Sequence, residues 1–467
     1  MKWFRDRAEL VLAVLLLGSL VLVTPRIAES DAVEYFSYLP SILFDHDLSF
    51  EDEYQHFYEE DPEGRGGFKE TFLDRSTPTG LKLNFGPVGT AVLWSPFYLA
   101  THVGMVVFGA LGADVEADGM SQPYRSAVSL ASAFYGALGL FLSYRLARRF
   151  AEPLVCFTAV VALWWATPVA YYMYIAPGMS HAASLFTVAV FFSLGPWVMA
   201  SPSVRRWAAW GASAGVMALV REQDLFFAVA ALVALVSSWE LRKSLLRAAA
   251  FGVSALVVFS PQLVVYQILN GRPLPSQHIQ NKMFWYSPHA LEVLFSPEHG
   301  LYFWSPVLLL FTVGGLLFLR RERVAGIALL LGLASQVYIS GAVDSWTQAG
   351  GFGARRFVGA TVIFAVWGAT LFAVVASYIR RAGVVALASV FILWNVGLMV
   401  QFGLGLMNRD RLIWQEVIHD QFQEVPPRLM SVLGRYLFAR DELPGSATDQ
   451  DQDEDEVEDD GHGGGES

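Results

Sequence analysis

The residues that follow the first apolar segment combine carboxylates with tyrosines at a helical spacing. The stretch SDAVEYFSYL places four such side chains at positions i, i+3, i+4 and i+7, namely Asp31, Glu34, Tyr35 and Tyr38. A carboxylate at a membrane boundary needs a proton or a cationic partner, and either arrangement suits a general base or a metal ligand. Asp31 is therefore the first candidate catalytic residue, with Glu34 beside it. A solvated acidic connector is the alternative interpretation.

A second acidic pair follows a few residues later. Pro40 should end or kink the helix before Asp45 and Asp47, which we expect to support Asp31 in catalysis. The acids from Glu51 onward are better explained as a solvated loop.

Three cationic residues could bind an anionic ligand such as a lipid phosphate. Arg355 and Arg356 follow the glycine-rich turn DSWTQAGGFGA, and bidentate guanidinium groups suit phosphate. The alternative is that these arginines pair with the acidic first loop. Lys82 stands alone before a long apolar run, so it is either a counter-charge to phosphate or an interfacial anchor.

Two further segments carry titratable residues near helix ends. In TPVAYYMYIAPGMSHAA, His181 could act as a base or donor, or could simply begin a helix that Ser180 caps. In VREQDLF, the favoured interpretation of Arg221, Glu222 and Asp224 is mutual ion pairing.

The composition indicates which elements must position these residues. Of 467 residues, 54% are hydrophobic and 16% are charged, and apolar runs near the ~20-residue length of a membrane span recur along the chain. No alternating ~10-residue pattern suggests a membrane barrel. The expected fold is an all-α polytopic membrane protein. The single cysteine, Cys156, excludes a disulfide within the chain.

The net charge of -11 is concentrated at the C-terminus. Residues 446–467 hold ten acids and no Lys or Arg, which leaves about -1 for the rest. Such a segment cannot bury an apolar face, and we expect it to be disordered. Residues 411–445 should form a small amphipathic segment, and residues 1–410 the membrane-embedded domain.

Basic clusters predict the topology, because cytoplasmic ends are enriched in Lys and Arg. If the N-terminus is cytoplasmic, an even number of spans must lie between neighbouring basic clusters. From Arg149 onward this holds, because two apolar segments lie between each neighbouring pair of clusters. Between the N-terminus and Arg149 the number of crossings is even only if residues 87–110, which contain Pro96, are re-entrant or juxtamembrane. This gives about eleven full spans and two large extracytoplasmic loops, residues 27–82 and 270–298. Long loops in compact structures are usually functional or disordered, so we expect the chemistry on that outer face.

In order and spacing the chain resembles the GT-C superfamily of integral-membrane glycosyltransferases, which includes protein O-mannosyltransferases, oligosaccharyltransferases and the lipid A aminoarabinose transferase. The resemblance covers residues 31–357. It rests on the acid after helix 1 in SDAVEYFSYL, on DHDL, and on KLNFGPVGTAVLWSPFY. The motifs GLYFWSPVLLL and GGFGARRF resemble members that have no assigned sugar.

The resemblance implies transfer of a hexosyl or pentosyl group from a polyprenyl-phosphate donor to a lipid, glycan or protein acceptor, as in cell-envelope glycosylation at a cytoplasmic membrane. It assigns Asp31 as base or metal ligand. Displacing a sugar from phosphate also needs cations to stabilise the departing phosphate. Lys82, Arg355 and Arg356 are candidates for that role, and Tyr35, Tyr38 and Trp346 for stacking on the sugar.

The chain departs from the superfamily pattern in one respect. Ser180 and His181 stand where a second acid is common, so a Mg²⁺ or Mn²⁺ site would need other carboxylates. No nucleic-acid partner is expected. A transporter or flippase for a lipid-linked or anionic solute is the alternative function. Such proteins usually place ionisable groups near the midplane and often contain repeats, whereas these residues gather at outer ends.

Overall fold

The computed structural model describes residues 2–62 and 67–440. The predicted acidic tail, 446–467, lies outside these residues. The α-helices of the described chain are α1 Lys2–Gly18, α2 Ser30–Pro40, α3 Glu51–Glu60, α4 Gly89–Ala110, α5 Gln122–Ala147, α6 Pro153–Trp165, α7 His181–Ala200, α8 Val204–Val220, α9 Val229–Ser237, α10 Leu241–Asn270, α11 Gln277–Asn281, α12 Ala290–Phe295, α13 Leu301–Trp304, α14 Pro306–Arg321, α15 Arg323–Ala342, α16 Thr361–Gly403, α17 Trp414–His419 and α18 Val425–Phe438.

The expected all-α class is confirmed. The described residues form no β-strand and only two isolated antiparallel bridges, Ser76 with Lys82 and Met283 with Val343. Six helical segments are long and apolar enough to cross a bilayer: α4, α5, α7, α10, α15 and the segment Arg355–Gly403 that contains α16. The protein is therefore a helical membrane protein.

Helix α4 differs from the expectation of an interrupted segment. Its 22 residues form one helix that continues through Pro96. Only 17% of its most apolar 18-residue stretch is buried within the protein. Proline removes a single backbone donor, and a membrane helix tolerates this loss where nearby groups compensate. Pro96 therefore does not divide the segment 87–110, and the helix is long enough to span.

Helix α16 combines two apolar segments, one on either side of Arg380 and Arg381. The chain turns at Arg380, whose φ of 60° is left-handed and breaks the helical path. Arg381, the next residue, forms a 2.6 Å salt bridge with Glu152 before α6. The turn thus joins two helices in a basic cluster, where the sequence predicted one end of each span.

The helices of the bundle pack closely through small residues. Helix α5 packs on α4, α7 and α16, and α16 also packs on α6 and α14. Helix α8 lies against α10, where a Cβ on Gly211 would stand 2.1 Å from the carbonyl oxygen of Phe251. Such close backbone approach is typical of membrane helix pairs.

The segment predicted to be the first outer loop is folded. Helix α2 confirms the predicted helix that carries Asp31 and Tyr38. The α-helical geometry ends at Pro40, as expected, but the chain stays helical through a wider π turn, Ser41–Asp45, which ends at His46 with a left-handed φ of 59°. Helix α3 follows, and the second predicted outer loop contains α11 and α12. The two segments meet where the Thr79 hydroxyl donates a 2.7 Å hydrogen bond to the Leu269 carbonyl near the end of α10, so both contribute ordered surfaces at the same end of the bundle.

Candidate functional site

Asp31 lies in the first turn of α2, at the end of the bundle that carries the loops. The half-buried carboxylate makes no hydrogen bond or salt bridge with any described residue. A carboxylate is favourable there because the helix N-terminus has a partial positive charge. Gly178 allows α2 to pack closely, since a Cβ on it would stand 2.7 Å from the Cβ of Ala32. Asp31 is thus held in place by its backbone, with its oxygens available.

One turn along α2, Tyr35 connects this helix to the start of α7. Its hydroxyl accepts a 3.1 Å hydrogen bond from Ser180 Oγ, which in turn accepts a 2.8 Å bond from Arg221 Nη1. Burial raises the pKa of Tyr35 to about 12, Arg221 opposes that increase, and Asp31 adds to it. The expectation that Ser180 caps α7 is wrong, because its hydroxyl makes these contacts and no cap bond.

His181 lies beside the same guanidinium group. Arg221 Nη1 approaches His181 Nδ1 at 3.3 Å, and the His181 and Tyr172 ring centroids are 4.4 Å apart. Because a guanidinium group can only donate, this contact requires Nδ1 to accept and assigns the ring proton to Nε2. That buried Nε2 has no partner among the described residues. His181 therefore offers an unused donor at the site.

Arg221 joins three segments. Its Nη2 donates to Gln223 Oε1 at 3.2 Å, and Gln223 Nε2 donates to the Arg356 carbonyl at 3.1 Å. The predicted ion pairing within VREQDLF is wrong. Glu222 accepts a 2.6 Å bond from Tyr266, and Asp224 accepts one of 2.6 Å from Ser184. Neither acid forms a salt bridge with Arg221 in the described chain. The guanidinium group instead contacts Ser180, His181 and Gln223, and it is part of the candidate site.

The two adjacent arginines have different surroundings. Arg356 Nη2 donates to Ser345 Oγ at 3.0 Å and its Nη1 to the Ser340 carbonyl at 3.4 Å, so it stabilises the turn before it. Arg355 packs against Gly351 and is close enough to act on Glu29 and His181. Burial raises the pKa of Glu29, and Arg26 and Arg355 oppose that increase. Arg355 therefore belongs to the same site as Asp31.

Several predicted residues instead hold loop structure. Glu34 is buried and accepts a hydrogen bond from the Phe85 amide, and the Tyr38 hydroxyl donates to the Gly86 carbonyl at 2.9 Å. Lys82 donates to the Leu73 carbonyl at 2.6 Å and lies 3.4 Å from Glu51.

The remaining predicted residues form no hydrogen bond or salt bridge with Arg221 in the described chain. Asp45, the last residue of the π turn, and Asp47, which follows the turn, are exposed, and Asp47 accepts a 3.0 Å bond from the Ser49 amide. Trp346 stacks on His289 with ring centroids 4.9 Å apart.

No three His, Cys, Asp or Glu side chains among the described residues are close enough to form a metal-binding group. Asp31 supplies one carboxylate, and Ser180 and His181 supply no second acid. We therefore assign no step to Mg²⁺ or Mn²⁺.

No protein-family model and no curated protein sequence matches this chain.

Proposed function

We propose that the protein is a membrane glycosyltransferase that moves a sugar from a polyprenyl-phosphate donor to an acceptor hydroxyl. The observation that supports this proposal is that a carboxylate, cations and a hydrogen-bond donor lie together at one end of an apolar helical bundle. Asp31 supplies an unpartnered carboxylate, while Arg221 and Arg355 supply cations and His181 an unused donor. Sugar transfer from a lipid phosphate needs this combination beside a membrane.

The residues divide the reaction between a base and an anion site. Asp31 accepts the proton of the acceptor hydroxyl, and the oxygen of that hydroxyl forms a bond to the anomeric carbon of the sugar. The bond between that carbon and the phosphate oxygen breaks, and the phosphate leaves with the electron pair. Arg221 and Arg355 stabilise its charge, and preorganised donors of this kind are worth about 10²–10³ in rate. The proton then passes from Asp31 to water.

Membrane orientation follows from the same proposal. With the N-terminus in the cytoplasm, α4 lying at the membrane surface without crossing, and about eleven crossings, both large loops and Asp31 face the outside of the cytoplasmic membrane. The left-handed turn at Arg380 supports the last two crossings, because it places Arg380 and Arg381 at one end of a helical pair. An outer site requires the donor lipid to present its sugar on that face.

One observation favours the alternative, a transporter or flippase for a lipid-linked or anionic solute. Asp224 is fully buried, and its Oδ1 has no partner in the described chain. Buried carboxylates in membrane proteins often mark ion pathways. Because the acid lies behind Ser184 and away from the exposed loops, we rank it below the convergence at Asp31.

The experiment compares lipid extracts from cells with and without the gene by mass spectrometry. Loss of a glycosyltransferase leaves a polyprenyl-phosphate sugar unconsumed, and that accumulated lipid becomes the donor for membrane assays. Asp31→Asn should lower transfer by about 10²–10⁴-fold, the usual contribution of a general base. Asp52→Asn, an exposed acid on α3, is the matched control. Unchanged transfer by Asp31→Asn would refute the assignment, and solute flux that depends on Asp224 would favour the transporter.

A further inference from the structure

The C-terminal part of the described chain forms a helix that lies across the end of the bundle. Residues 414–438 are helical throughout, as α17, a π turn at Asp420–Glu424, and α18. Gln401 of α16 donates to Gln421 Oε1 at 2.8 Å, and Tyr436 donates to the Leu22 carbonyl at 2.6 Å. This C-terminal helix therefore connects the last apolar helix to the first, independently of the proposed activity.

The C-terminal helix has three distinct faces. In α18, the residues that face the protein recur at i, i+4, i+7 and i+11: Val425, Leu429, Val432 and Tyr436. A polar face rotated to one side carries Arg428, Ser431 and Arg435. An apolar stripe on the other side is exposed and consists of Ile418, Phe422, Met430, Leu433 and Leu437. Met430 is 77% exposed and Phe422 66%.

The apolar stripe adjoins the apolar outer surface of the bundle at both ends. Arg440 donates to the Val21 carbonyl at 2.6 Å, and the Val21 side chain is 73% exposed. Gln421 donates to the Leu393 carbonyl at 3.4 Å, and Leu393 is 67% exposed on α16. Helix α16 is long and apolar enough to span the bilayer, so its exposed apolar surface faces lipid. Residues that continue this surface therefore face lipid as well.

We infer that the C-terminal helix lies in the membrane interface, with its apolar stripe against lipid acyl chains and the exposed Arg428 and Ser431 towards headgroups. An amphipathic helix of this kind buries its apolar face ~5–10 Å into the boundary, and arginine stems reach from there to the polar layer. Continuity with the lipid-facing surface of α16 favours a bilayer over a second copy of the chain.

The test measures contact with lipid in the full-length protein. The only native cysteine is buried and is removed by Cys156→Ala. Leu433→Cys on the stripe and Ser431→Cys on the polar face then receive the same fluorophore, and each protein enters phosphatidylcholine vesicles with brominated acyl chains. We expect at least about twofold stronger quenching at 433, because only that side enters the acyl region.

Equal quenching at the two positions, or stronger quenching of 433 by aqueous iodide than of 431, would overturn the inference. Disulfide cross-linking between copies through 433 in place of bromolipid quenching would do the same and would indicate self-association. If Leu433→Cys fails to fold, Met430→Cys tests the same stripe, since its side chain is more exposed and tolerates a label.

Discussion

Arg221 is the residue whose replacement tests the site most directly. Arg221→Lys keeps the charge but removes the fork that reaches Ser180 at 2.8 Å, His181 at 3.3 Å and Gln223 at 3.2 Å. A single ammonium on a shorter chain cannot make all three contacts. Loss of one hydrogen bond to a charged group costs about 1.5–3 kcal/mol. Since 1.36 kcal/mol is tenfold in rate, kcat/KM should fall by roughly 10- to 150-fold.

The assay uses purified protein in proteoliposomes, with the lipid that accumulates in cells lacking the gene as donor. Arg206→Lys is the control, because Arg206 lies at the other end of α8 and donates to the Trp197 carbonyl at 2.7 Å. Arg221→Gln should lose more activity than Arg221→Lys, since it removes the cation as well. If Arg221→Lys retains activity within about twofold of the parent, the guanidinium fork does not organise the site.

Two other predictions concern stability. Gly89→Ala should destabilise the protein by about 1–3 kcal/mol in thermal unfolding, because its Cβ would stand 2.3 Å from the Leu219 carbonyl. Gly104→Ala on the same helix meets nothing within 4 Å and should not, so equal losses would contradict the packing of α4 on α8. Burial raises the pKa of Glu53 to about 7, with Asp45 and Asp52 adding to the increase. Because the folded protein holds this proton to higher pH than the unfolded chain, stability should fall between about pH 4.5 and 7. Glu53→Gln should flatten that slope in unfolding measured against pH, and a slope that persists would exclude Glu53 as its source.

The sequence predicted the helical class and the position of α2 because these depend on local periodicity. Its errors occurred where tertiary contacts decide. Pro96 was expected to interrupt its segment, yet it lies inside the continuous helix α4, and the chain beyond Pro40 stays helical as a π turn. A proline removes one backbone hydrogen bond. The favourable energy of packing along a long buried or lipid-facing helix can exceed the energy of that lost bond.

The candidate site was only partly predictable. Asp31 and His181 were found as polar residues next to apolar runs, whereas Arg221 was assigned to a local ion pair with Glu222 and Asp224. Only the tertiary structure shows that those acids have partners on other helices, namely Tyr266 and Ser184. An arginine directly after the apolar run of α8, at the same predicted end as Asp31, was the available signal.

The residues of the site are distributed widely along the chain, and this has a consequence for biosynthesis. Asp31 leaves the ribosome early, His181 and Arg221 follow, and Arg355 is translated after α15. Since synthesis and folding proceed from the N-terminus, a chain that stops after α15 already contains the carboxylate but lacks one of the two cations. Under the proposed function, membrane insertion precedes activity, and chains that stop after α15 should be embedded in the membrane but inactive.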